Sequence, residues 1–533
     1  MSTAEPTIAE PQSQPMPPVL SRLLRGTFWL ALRTPLQAVF VFVSFPMVIR
    51  AIGTDANGAY NFAWGFGFLQ FLLEFGMSSA LQRRVSEAWT EGDRAKVDRT
   101  VACGLLFYAV AATIQAAALL AIAHLAMPYT GWHGESYTLI VRLLWLQALT
   151  APFFGLTTVV SSILQAARRY DVIPRFELAV VVLRFAILAG GIGLGVPFFA
   201  IVLVQTLVQI GLGLGPAAWV MVRELGYIPK LVGATRADLK ALTHVSVYMA
   251  IMQLSVVFSD KLDTTILTCA LADPGPATTV YASVSKPFMQ IRQTGWMLSY
   301  FVMPAAASLL AARDAAGLDR VKFDGSRLLI AGLLPVGLLA WIYAGPFLGL
   351  WVGDDFRQHG PLLRLFLVAT LPLAISILVQ VAIGLGKIAP IALAALAGSL
   401  VNLPLSYLLT VRIGVAGVIW GSVLTVVVAN LIVPGIYVFR VLDIRPSEFL
   451  RRTLAPPLAG AAALVGATWL FRLAVPADPM GPGALARSAP LLANLVVGCL
   501  AYAAGYLSGA TGRGDLAPIA RRLSRRAPGP AAP

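Results

Sequence analysis

Long apolar stretches follow one another along almost the whole chain, separated by short polar segments. They recur from Phe28 to Leu507, and each is about twenty residues long, enough for a helix to cross the ~30 Å hydrocarbon core of a bilayer. The pattern therefore predicts an all-α polytopic membrane protein. We place fourteen transmembrane spans, at residues 26–49, 58–80, 101–126, 138–165, 173–194, 197–222, 244–271, 278–311, 327–350, 361–385, 388–410, 415–440, 453–473 and 488–508.

The composition agrees with this pattern and excludes a soluble globular protein. Of the 533 residues, 58% are hydrophobic and 12% are charged, against roughly 45–50% and ~25% in soluble domains. No segment outside the apolar runs is long enough to bury a core of its own, which excludes a soluble catalytic domain on an anchor. The three cysteines lie in apolar runs without metal-binding spacing and the four histidines are scattered, so no metal site or cofactor is expected.

The basic residues indicate how the chain is oriented. The formal net charge is +15, and 28 of the 40 Lys and Arg residues lie in loops and tails on one side of the predicted spans, against five in the loops on the other side. The positive-inside rule therefore places both termini in the cytoplasm. Because the charge is explained by topology, we expect no nucleic-acid partner.

The two ends of the chain are expected to be cytoplasmic tails. Residues 1–22 are rich in Pro, Glu, Gln and Ser, a composition that predicts disorder, and residues 511–533 form a basic tail. The first apolar run is too long for a signal peptide and is not followed by an A-x-A cleavage site. We therefore expect it to remain as the first span.

An internal repeat divides the spans into two groups of six. The motif D-R-x-K-x-D occurs at residues 93–98, after span 2, and at residues 319–324, after span 8. The repeat predicts two lobes that are copies with the same orientation in the membrane. The N-lobe is spans 1–6 (23–243), the C-lobe is spans 7–12 (244–452), and spans 13 and 14 (453–510) follow. Such parallel repeats are typical of transporters whose two halves rock about a central site. The alternative is a chance echo in apolar sequence.

Charged side chains within the spans are the candidate chemistry, because a charge at bilayer depth is costly and usually faces a partner or a cavity. We count three acids within the spans, Glu74, Asp260 and Asp263, against seven cations. This excess of cations favours an anionic guest, and the alternative is pairing between helices. The seven cations are Arg33, Arg142, Arg184, Lys261, Lys286, Arg292 and Arg364.

Two spans carry the most informative polar patterns. In span 7, Asp260 and Asp263 share a helix face and Lys261 lies about 100° around the helix. This cluster is either a proton or cation site coupled to transport or a packing contact. In span 8, polar and aromatic side chains share one face, which would line a wet cavity. They are Tyr281, Ser285, Arg292 and Trp296.

The first hundred residues contain four motifs, PMVIRAIG at 46–53, NGAY at 57–60, LEFGMSSAL at 73–81 and EGD at 91–93. By these motifs the chain resembles the polysaccharide-exporter branch of the MOP superfamily, the O-antigen and exopolysaccharide flippases related to MATE drug exporters and lipid II flippases. The resemblance implies a MATE-like two-lobe bundle of 6+6 helices with two additional C-terminal helices. It also implies a cationic central cavity that faces the two sides of the bacterial inner membrane in turn.

The resemblance further implies a substrate, partners and roles for the residues. The substrate is a polyprenyl-pyrophosphate-linked oligosaccharide, taken from the cytoplasmic to the periplasmic leaflet, with membrane lipid and other polysaccharide-assembly membrane proteins as partners. On this resemblance, the cations expected to contact the substrate are Arg33, Arg184, Lys286 and Arg292, and the residues expected to stack on sugar rings are Tyr281 and Trp296. The residues expected to couple transport to H+ or Na+, or to act as a gate, are Glu74, Asp260, Lys261 and Asp263.

Three other functions compete with the flippase. A MATE-type cation or drug antiporter is expected to have a net acidic cavity, which the buried cations disfavour. A membrane glycosyltransferase or polysaccharide polymerase needs carboxylates on an outer loop, where Asp354 and Asp355 are the one adjacent pair. A scaffold without transport activity is the third. No G-x-x-x-x-G-K-[ST] motif is present, so ATP hydrolysis is not built into this chain.

Overall fold

The computed structural model describes residues 18–74, 76–230, 233–235, 238, 247–300, 302–474, 484–509 and 511–515. All regular secondary structure within these ranges is helical, which confirms the predicted all-α class. The predicted tails, 1–22 and 511–533, lie largely outside the described residues. The first helix begins at Pro18, inside the range expected to be disordered.

The α-helices are numbered here in chain order. They are α1 Pro18–Gly65, α2 Phe68–Glu74, α3 Met77–Glu91, α4 Arg94–Ala121, α5 Gly134–Ala166, α6 Val172–Gly193, α7 Phe198–Arg223, α8 Val247–Asp260, α9 Asp263–Ala270, α10 Pro274–Tyr300, α11 Val302–Ala311, α12 Ala315–Arg320, α13 Ser326–Ile342, α14 Ala344–Trp351, α15 Gly360–Leu367, α16 Ser376–Gly384, α17 Ala389–Ile413, α18 Val415–Val426, α19 Val433–Val441, α20 Pro446–Phe449, α21 Ala455–Ala474 and α22 Ala484–Ser508.

Short segments of other helical types join several of these helices. The π-helical segments are Ile122–Ala126, Val321–Gly325, Val427–Ile432 and Leu450–Leu454, and the 3-10 segments are Met127–Tyr129, Asp354–His359 and Val368–Ile375. Several π and 3-10 segments continue an α-helix directly, so they mark places where the backbone departs from regular i to i−4 bonding inside a span.

Twelve helical segments in the described part of the chain are long and apolar enough to cross a membrane. Two local breaks in helices account for the difference between these twelve segments and the fourteen predicted spans. Predicted spans 1 and 2 fall in one 40-residue segment, Pro35–Glu74, and predicted span 7 is divided between α8 and α9.

Gly53 is the residue that breaks the first of these segments. Its backbone has φ 78° and ψ 175°, outside helical geometry, and only glycine adopts this conformation without a steric cost. Gly53 ends the IG pair of the PMVIRAIG motif. The two predicted spans on either side of it are therefore separate helices that meet at this glycine.

The described chain divides into two compact units. The first comprises Met1–Ser44, Gly76–Ile114 and Leu149–His244, and the second comprises Phe45–Phe75, Gln115–Ala148 and Val245–Pro533. Three of the five boundaries fall inside α1, α4 and α5, so each of these helices belongs partly to one unit and partly to the other. The lobes predicted at 23–243 and 244–452 have boundaries different from those of these two units. They stay a prediction based on the sequence repeat.

The first unit has one main hydrophobic core. It is formed by buried aliphatic side chains from α3, α4, α5 and α7, and Tyr227 closes it after the end of α7. The buried residues include Leu81, Val85, Val101, Ile163, Val220 and Tyr227. Gln82 and Gln165 form a hydrogen bond in this unit.

Among the described residues, the second unit has three hydrophobic clusters, one of which involves the two C-terminal spans. In that cluster, Leu464 from α21 and Tyr502 from α22 pack with Leu339 from α13. Gly460 faces Tyr502 so closely that an added Cβ atom would lie 2.9 Å from the Tyr502 carbonyl oxygen. The two C-terminal spans are thus packed against each other and against α13.

A close approach of two glycines lies elsewhere in the second unit. A Cβ atom on Gly58 would overlap the backbone of Gly275, near the start of α10. Asn57 is fully buried beside it and donates a 3.0 Å hydrogen bond from Nδ2 to the Thr279 hydroxyl. The NGAY motif therefore lies where two backbones meet without a side chain between them.

The end of the described chain is tied to the start of α13 by charged groups. Arg327, whose side chain is buried, donates from Nε (2.9 Å) and Nη2 (2.5 Å) to the Asp515 carboxylate. Tyr506 also donates to Asp515. Burial raises the pKa of Asp515, but the hydrogen bonds from Arg327 and Tyr506 outweigh it and hold the pKa below its ordinary value. We call Arg327, Tyr506 and Asp515 the C-terminal clasp.

Candidate functional site

The second unit contains a helix break at membrane depth. Predicted span 7 ends its first helix at Asp260 and begins its second at Asp263. Lys261 and Leu262 form the turn between them, and Lys261 still donates its backbone N–H to the Val257 carbonyl, at 3.0 Å. Discontinuous helices of this kind commonly supply binding sites in transporters. The most polar stretch found in the sequence is therefore the stretch at which the helix breaks.

Asp260 forms a nearly buried ion pair with Arg292 of α10. Arg292 donates from Nη1 to Oδ1 at 2.8 Å and from Nη2 to Oδ2, and the side chains are 18% and 11% exposed for Arg292 and Asp260. The Arg292 guanidinium also lies 5.2 Å from the centre of the Phe288 ring. Because the contact is bidentate, the pair fixes the position of α10 against the end of α8.

Asp263 accepts hydrogen bonds from two hydroxyl groups. Among the described residues, no cation forms an ion pair with it. The Tyr281 hydroxyl donates to Oδ2 at 2.6 Å, and the Ser422 hydroxyl lies 3.2 Å from the same atom. Asp263 is 2% exposed and Tyr281 is 4% exposed. Tyr281 therefore positions a carboxylate, a contact that its place on the polar face of span 8 did not indicate.

Lys286 has a neutral partner. Its Nζ donates to Asn61 Oδ1 at 3.0 Å and lies 4.8 Å from the centre of the Phe45 ring. Asn61 in turn donates to the Asn57 carbonyl at 2.7 Å. Among the residues that the structure describes, no carboxylate forms an ion pair with Lys286.

A cavity of about 380 Å³ lies beside the ion pair in the second unit. It brings together three of the predicted site residues, Asp260, Arg292 and Trp296, and its remaining wall is mainly apolar. Sequence reasoning missed its other polar residues, because they are uncharged and a search for charges within the spans does not select them. These are Ser255, Ser259, Gln293, Ser376 and Asn430.

The other five predicted residues of this unit do not line that cavity. Tyr281, Asp263 and Lys286 have the partners given above. Lys261 is exposed in the turn between α8 and α9. Glu74 is partly buried and is the last residue of α2. Their coupling or gating roles stay predictions.

The first unit holds the two remaining predicted cations, at separate places in its sequence and with different partners. Arg33 pairs with Glu177 at 2.8 Å. Arg184 donates from Nη1 to Gln209 Oε1 at 2.9 Å, while its own carbonyl accepts from Gln205 at 2.7 Å. The Nε atoms of both arginines are buried and make no hydrogen bond within the described residues.

Glu177 corrects the charge balance that the sequence analysis drew. It lies inside predicted span 173–194 and is therefore a fourth acid to set against the seven cations named in the sequence analysis. Two of the cations, Arg33 and Arg292, are neutralised by a carboxylate within their own unit. Of the four cations predicted to contact the substrate, the other two, Arg184 and Lys286, have neutral partners among the described residues, and an anionic ligand would supply a counter-charge.

Comparison with known sequences gives a partial match. The MatE family model matches residues 30–189. The uncharacterized membrane protein EpsK of Bacillus subtilis (strain 168) is 26% identical over 234 residues, and the match covers 42% of this chain and 45% of that protein. The chain therefore aligns with less than half of the length of this relative.

Comparison with solved structures covers nearly the whole chain. The lipid II flippase MurJ, in an inward closed conformation, has a TM-score of 0.68 at 12% identity, covering 94% of this chain and 100% of that one. A multidrug resistance MATE family transporter of the MOP superfamily, in its inward-facing conformation, has a TM-score of 0.60 at 13% identity, covering 80% and 99%. The expected MATE-like and MurJ-like fold is confirmed.

Proposed function

We propose that this chain, a member of the MOP superfamily by its MatE match and its MurJ-like and MATE-like fold, flips a polyprenyl-pyrophosphate-linked oligosaccharide. The lipid-linked sugar moves from the cytoplasmic to the outer leaflet of the bacterial inner membrane by alternating access, for polysaccharide biosynthesis. The protein carries the substrate and makes or breaks no covalent bond in it.

The observation that carries the proposal is the pair of cations with neutral partners. Lys286 bonds to Asn61 and Arg184 bonds to Gln209, so each keeps a positive charge that no described carboxylate neutralises. A buried charge of this kind is costly without an opposite charge nearby. The pyrophosphate of a lipid-linked sugar supplies that charge, and we assign Lys286 as its contact in the second unit. The substrate contact of Arg184, in the first unit, stays a prediction of the sequence.

The cavity beside the ion pair supports a role for the sugar portion. Its volume of about 380 Å³ and its mainly apolar wall with a few polar groups are typical of small-molecule sites. Trp296 is 37% exposed and offers a ring face to a sugar, and Gln293 offers an amide. Tyr281 is assigned to Asp263 instead of to a sugar, because its hydroxyl is committed to that carboxylate.

Coupling is assigned to Asp263. Its present partners are two hydroxyl groups, which can either donate a hydrogen bond to a carboxylate or offer an oxygen lone pair to a bound cation. A proton or a sodium ion at this carboxylate would rearrange the Tyr281 and Ser422 hydroxyls. Asp260, by contrast, is held by Arg292, and we assign it a structural part in the same turn.

The same carboxylate is the observation that favours the second candidate, a MATE-type cation or drug antiporter. A buried acid without a cationic partner fits a cationic substrate as well as a coupling ion. The enzyme alternative, a glycosyltransferase or polymerase, receives no support from the compared structures, which are of a flippase and of transporters.

The test is to delete the gene in its host and to quantify lipid-linked oligosaccharides by mass spectrometry together with surface polysaccharide. A flippase predicts that complete repeat units accumulate on the polyprenyl carrier while surface polysaccharide is lost. Complementation with the wild-type gene restores both. Normal lipid-linked pools, combined with new sensitivity to cationic dyes, would overturn the proposal in favour of the antiporter.

A further inference from the structure

A second cavity, of about 790 Å³, lies in the second unit where α13 and α21 end. Three arginines line it, Arg357, Arg364 and Arg472, together with one acid, Asp354. We call it the arginine cavity. With three guanidinium groups against one carboxylate, its wall has a formal charge of +2.

The clustering is informative because cations are scarce on this side of the protein. Arg357 and Arg472 are two of only five Lys and Arg residues in the predicted outer loops, and Arg364 lies near the same predicted interface. The positive-inside rule disfavours basic residues there. Three of them converging on one cavity therefore need a local reason.

Part of that reason is that two of the arginines cap α13. Arg364 donates from Nε to the Trp341 carbonyl at 3.1 Å, and Arg472 donates from Nη2 to the Ile342 carbonyl at 3.1 Å. These carbonyls lie in the last turn of the helix, where they lack helical partners. Each of these two side chains donates one hydrogen bond within the described residues, out of the five N–H groups of a guanidinium.

Capping thus fixes both guanidinium groups at the cavity and leaves most of their N–H groups without a protein acceptor in the described part of the chain. The Nε of Arg472 is buried and makes no hydrogen bond there. Arg472 also lies 4.4 Å from the centre of the Tyr343 ring, which holds it further in place. Planar, fixed guanidinium groups are suited to bind the oxygens of a phosphate.

Two tryptophans indicate the depth of the cavity in the membrane. Trp341 is 48% exposed at the end of α13, and Trp469 is 61% exposed one turn before Arg472. Exposed tryptophans are enriched at the level of the lipid headgroups. An anion at this depth is therefore most readily supplied by a lipid.

We propose that the arginine cavity binds the phosphate of an anionic lipid headgroup at the predicted outer surface. This site is distinct from the one assigned to transport, and it does not depend on which substrate is carried. The phosphate belongs either to a phospholipid such as phosphatidylglycerol or to a polyprenyl phosphate, and the two sources share the chemistry that the arginines recognise.

The test uses the purified full-length chain in detergent and native mass spectrometry, with phosphatidylglycerol, polyprenyl phosphate and zwitterionic phosphatidylcholine titrated separately. The wild type is expected to bind at least one anionic lipid about tenfold more tightly than phosphatidylcholine. Arg357→Gln is expected to remove this preference. The matched control is Arg412→Gln, at an exposed arginine on the same predicted side that does not line the cavity.

The remaining outcomes decide the source and the proposal. The anionic lipid that binds more tightly to the wild type identifies the source of the phosphate. Asp354→Asn, which removes the one acid that lines the cavity, is expected to strengthen binding of the anionic lipid. If a glutamine variant does not fold, Arg472→Lys is used instead, since it removes the planar guanidinium and keeps the positive charge. Equal binding of phosphatidylcholine by the wild type, or equal losses in Arg357→Gln and Arg412→Gln, would overturn the proposal.

Discussion

At the scale of single residues, the partner of each membrane-depth charge decides what that charge can do. Arg292 and Arg33 are neutralised by Asp260 and Glu177, so both serve the stability of their own units. Lys286 keeps its charge beside Asn61. Cations at similar depth in the sequence pattern therefore differ in their partners, and this difference is the basis for the binding role that we propose for Lys286.

Lys286→Gln is expected to reduce export of finished polysaccharide about tenfold, because it removes a charge-assisted contact to the pyrophosphate. Glutamine can still bond to Asn61, so the fold should be retained. Surface polysaccharide is measured in a deletion strain carrying each variant at equal protein level. Lys387→Gln, in an exposed loop, is the control, and equal export by both variants would contradict the assignment of Lys286.

Arg292→Ala is expected to destabilise the protein by about 3 kcal/mol, because it leaves Asp260 nearly buried without its counter-charge. The double variant Asp260→Leu/Arg292→Met should be closer to the wild type than Arg292→Ala is, since it removes both charges. Thermal unfolding of the purified proteins in detergent measures the difference. If the double variant loses as much as the sum of the two single changes, the pair is not coupled and this interpretation is wrong.

At the scale of helices, interruptions occur where the chain needs a site or a close approach. The break between α8 and α9 places two aspartates beside α10, and Gly53 separates two spans in one apolar segment. The contact between Gly58 and Gly275 lets two backbones meet. Sequence periodicity located the spans, but it did not reveal that span 7 is broken, because its polar residues are also compatible with a continuous helix.

Gly58→Ala is expected to lower stability by about 1–3 kcal/mol, because the new methyl group overlaps the backbone of Gly275, which cannot move as a side chain can. Gly466→Ala, in α21, is the matched control: its added methyl group meets nothing within 4 Å, and alanine favours the helix. Thermal unfolding of both variants checks this. A loss in Gly466→Ala equal to that in Gly58→Ala would refute the packing explanation.

At the scale of the whole molecule, the fold was predictable and the pairing of charges was not. Hydropathy alone predicted the all-α class, and the motifs around residues 46–93 indicated the MATE-like bundle. The partners of Arg33, Arg184 and Lys286 could not be deduced in the same way. Each partner lies on a different span from its cation, and hydropathy does not show which spans pack together. Glu177 is different, since its position inside a predicted span was visible in the sequence.

The C-terminal clasp gives a stability that depends on pH. Because Arg327 and Tyr506 hold the pKa of Asp515 below its ordinary value, its carboxylate stabilises the fold at neutral pH. That contribution is complete above about pH 4, the ordinary pKa of aspartate, and is lost as the pH falls through the lower folded pKa.

Asp515→Asn is therefore expected to lower the Tm at pH 7, and its difference from the wild type should shrink only below about pH 4. Thermal unfolding from pH 3 to pH 8 in detergent measures it. Asp443→Asn, an exposed acid elsewhere in the unit, is the control. A difference between Asp515→Asn and the wild type that stays constant down to pH 3 would count against the clasp.

The orientation with both termini in the cytoplasm stays a prediction of the distribution of 28 basic residues against five. Reporter fusions test it. A fusion partner that is active only in the cytoplasm should function after residue 515, and one that is active only outside should function in the loop at residues 354–359. Activity of the second reporter at the C-terminal fusion would reverse the orientation and place the arginine cavity inside.

The break between α8 and α9 also sets the two aspartates in opposite backbone fields. Asp260 is the last residue of one helix and Asp263 the first residue of the next. Aligned peptide dipoles make a helix end repel a carboxylate at its C-terminus and attract one at its N-terminus. Asp260 therefore lies at a helix end that disfavours its charge, which the guanidinium of Arg292 offsets, whereas Asp263 lies at a helix end that favours a negative charge.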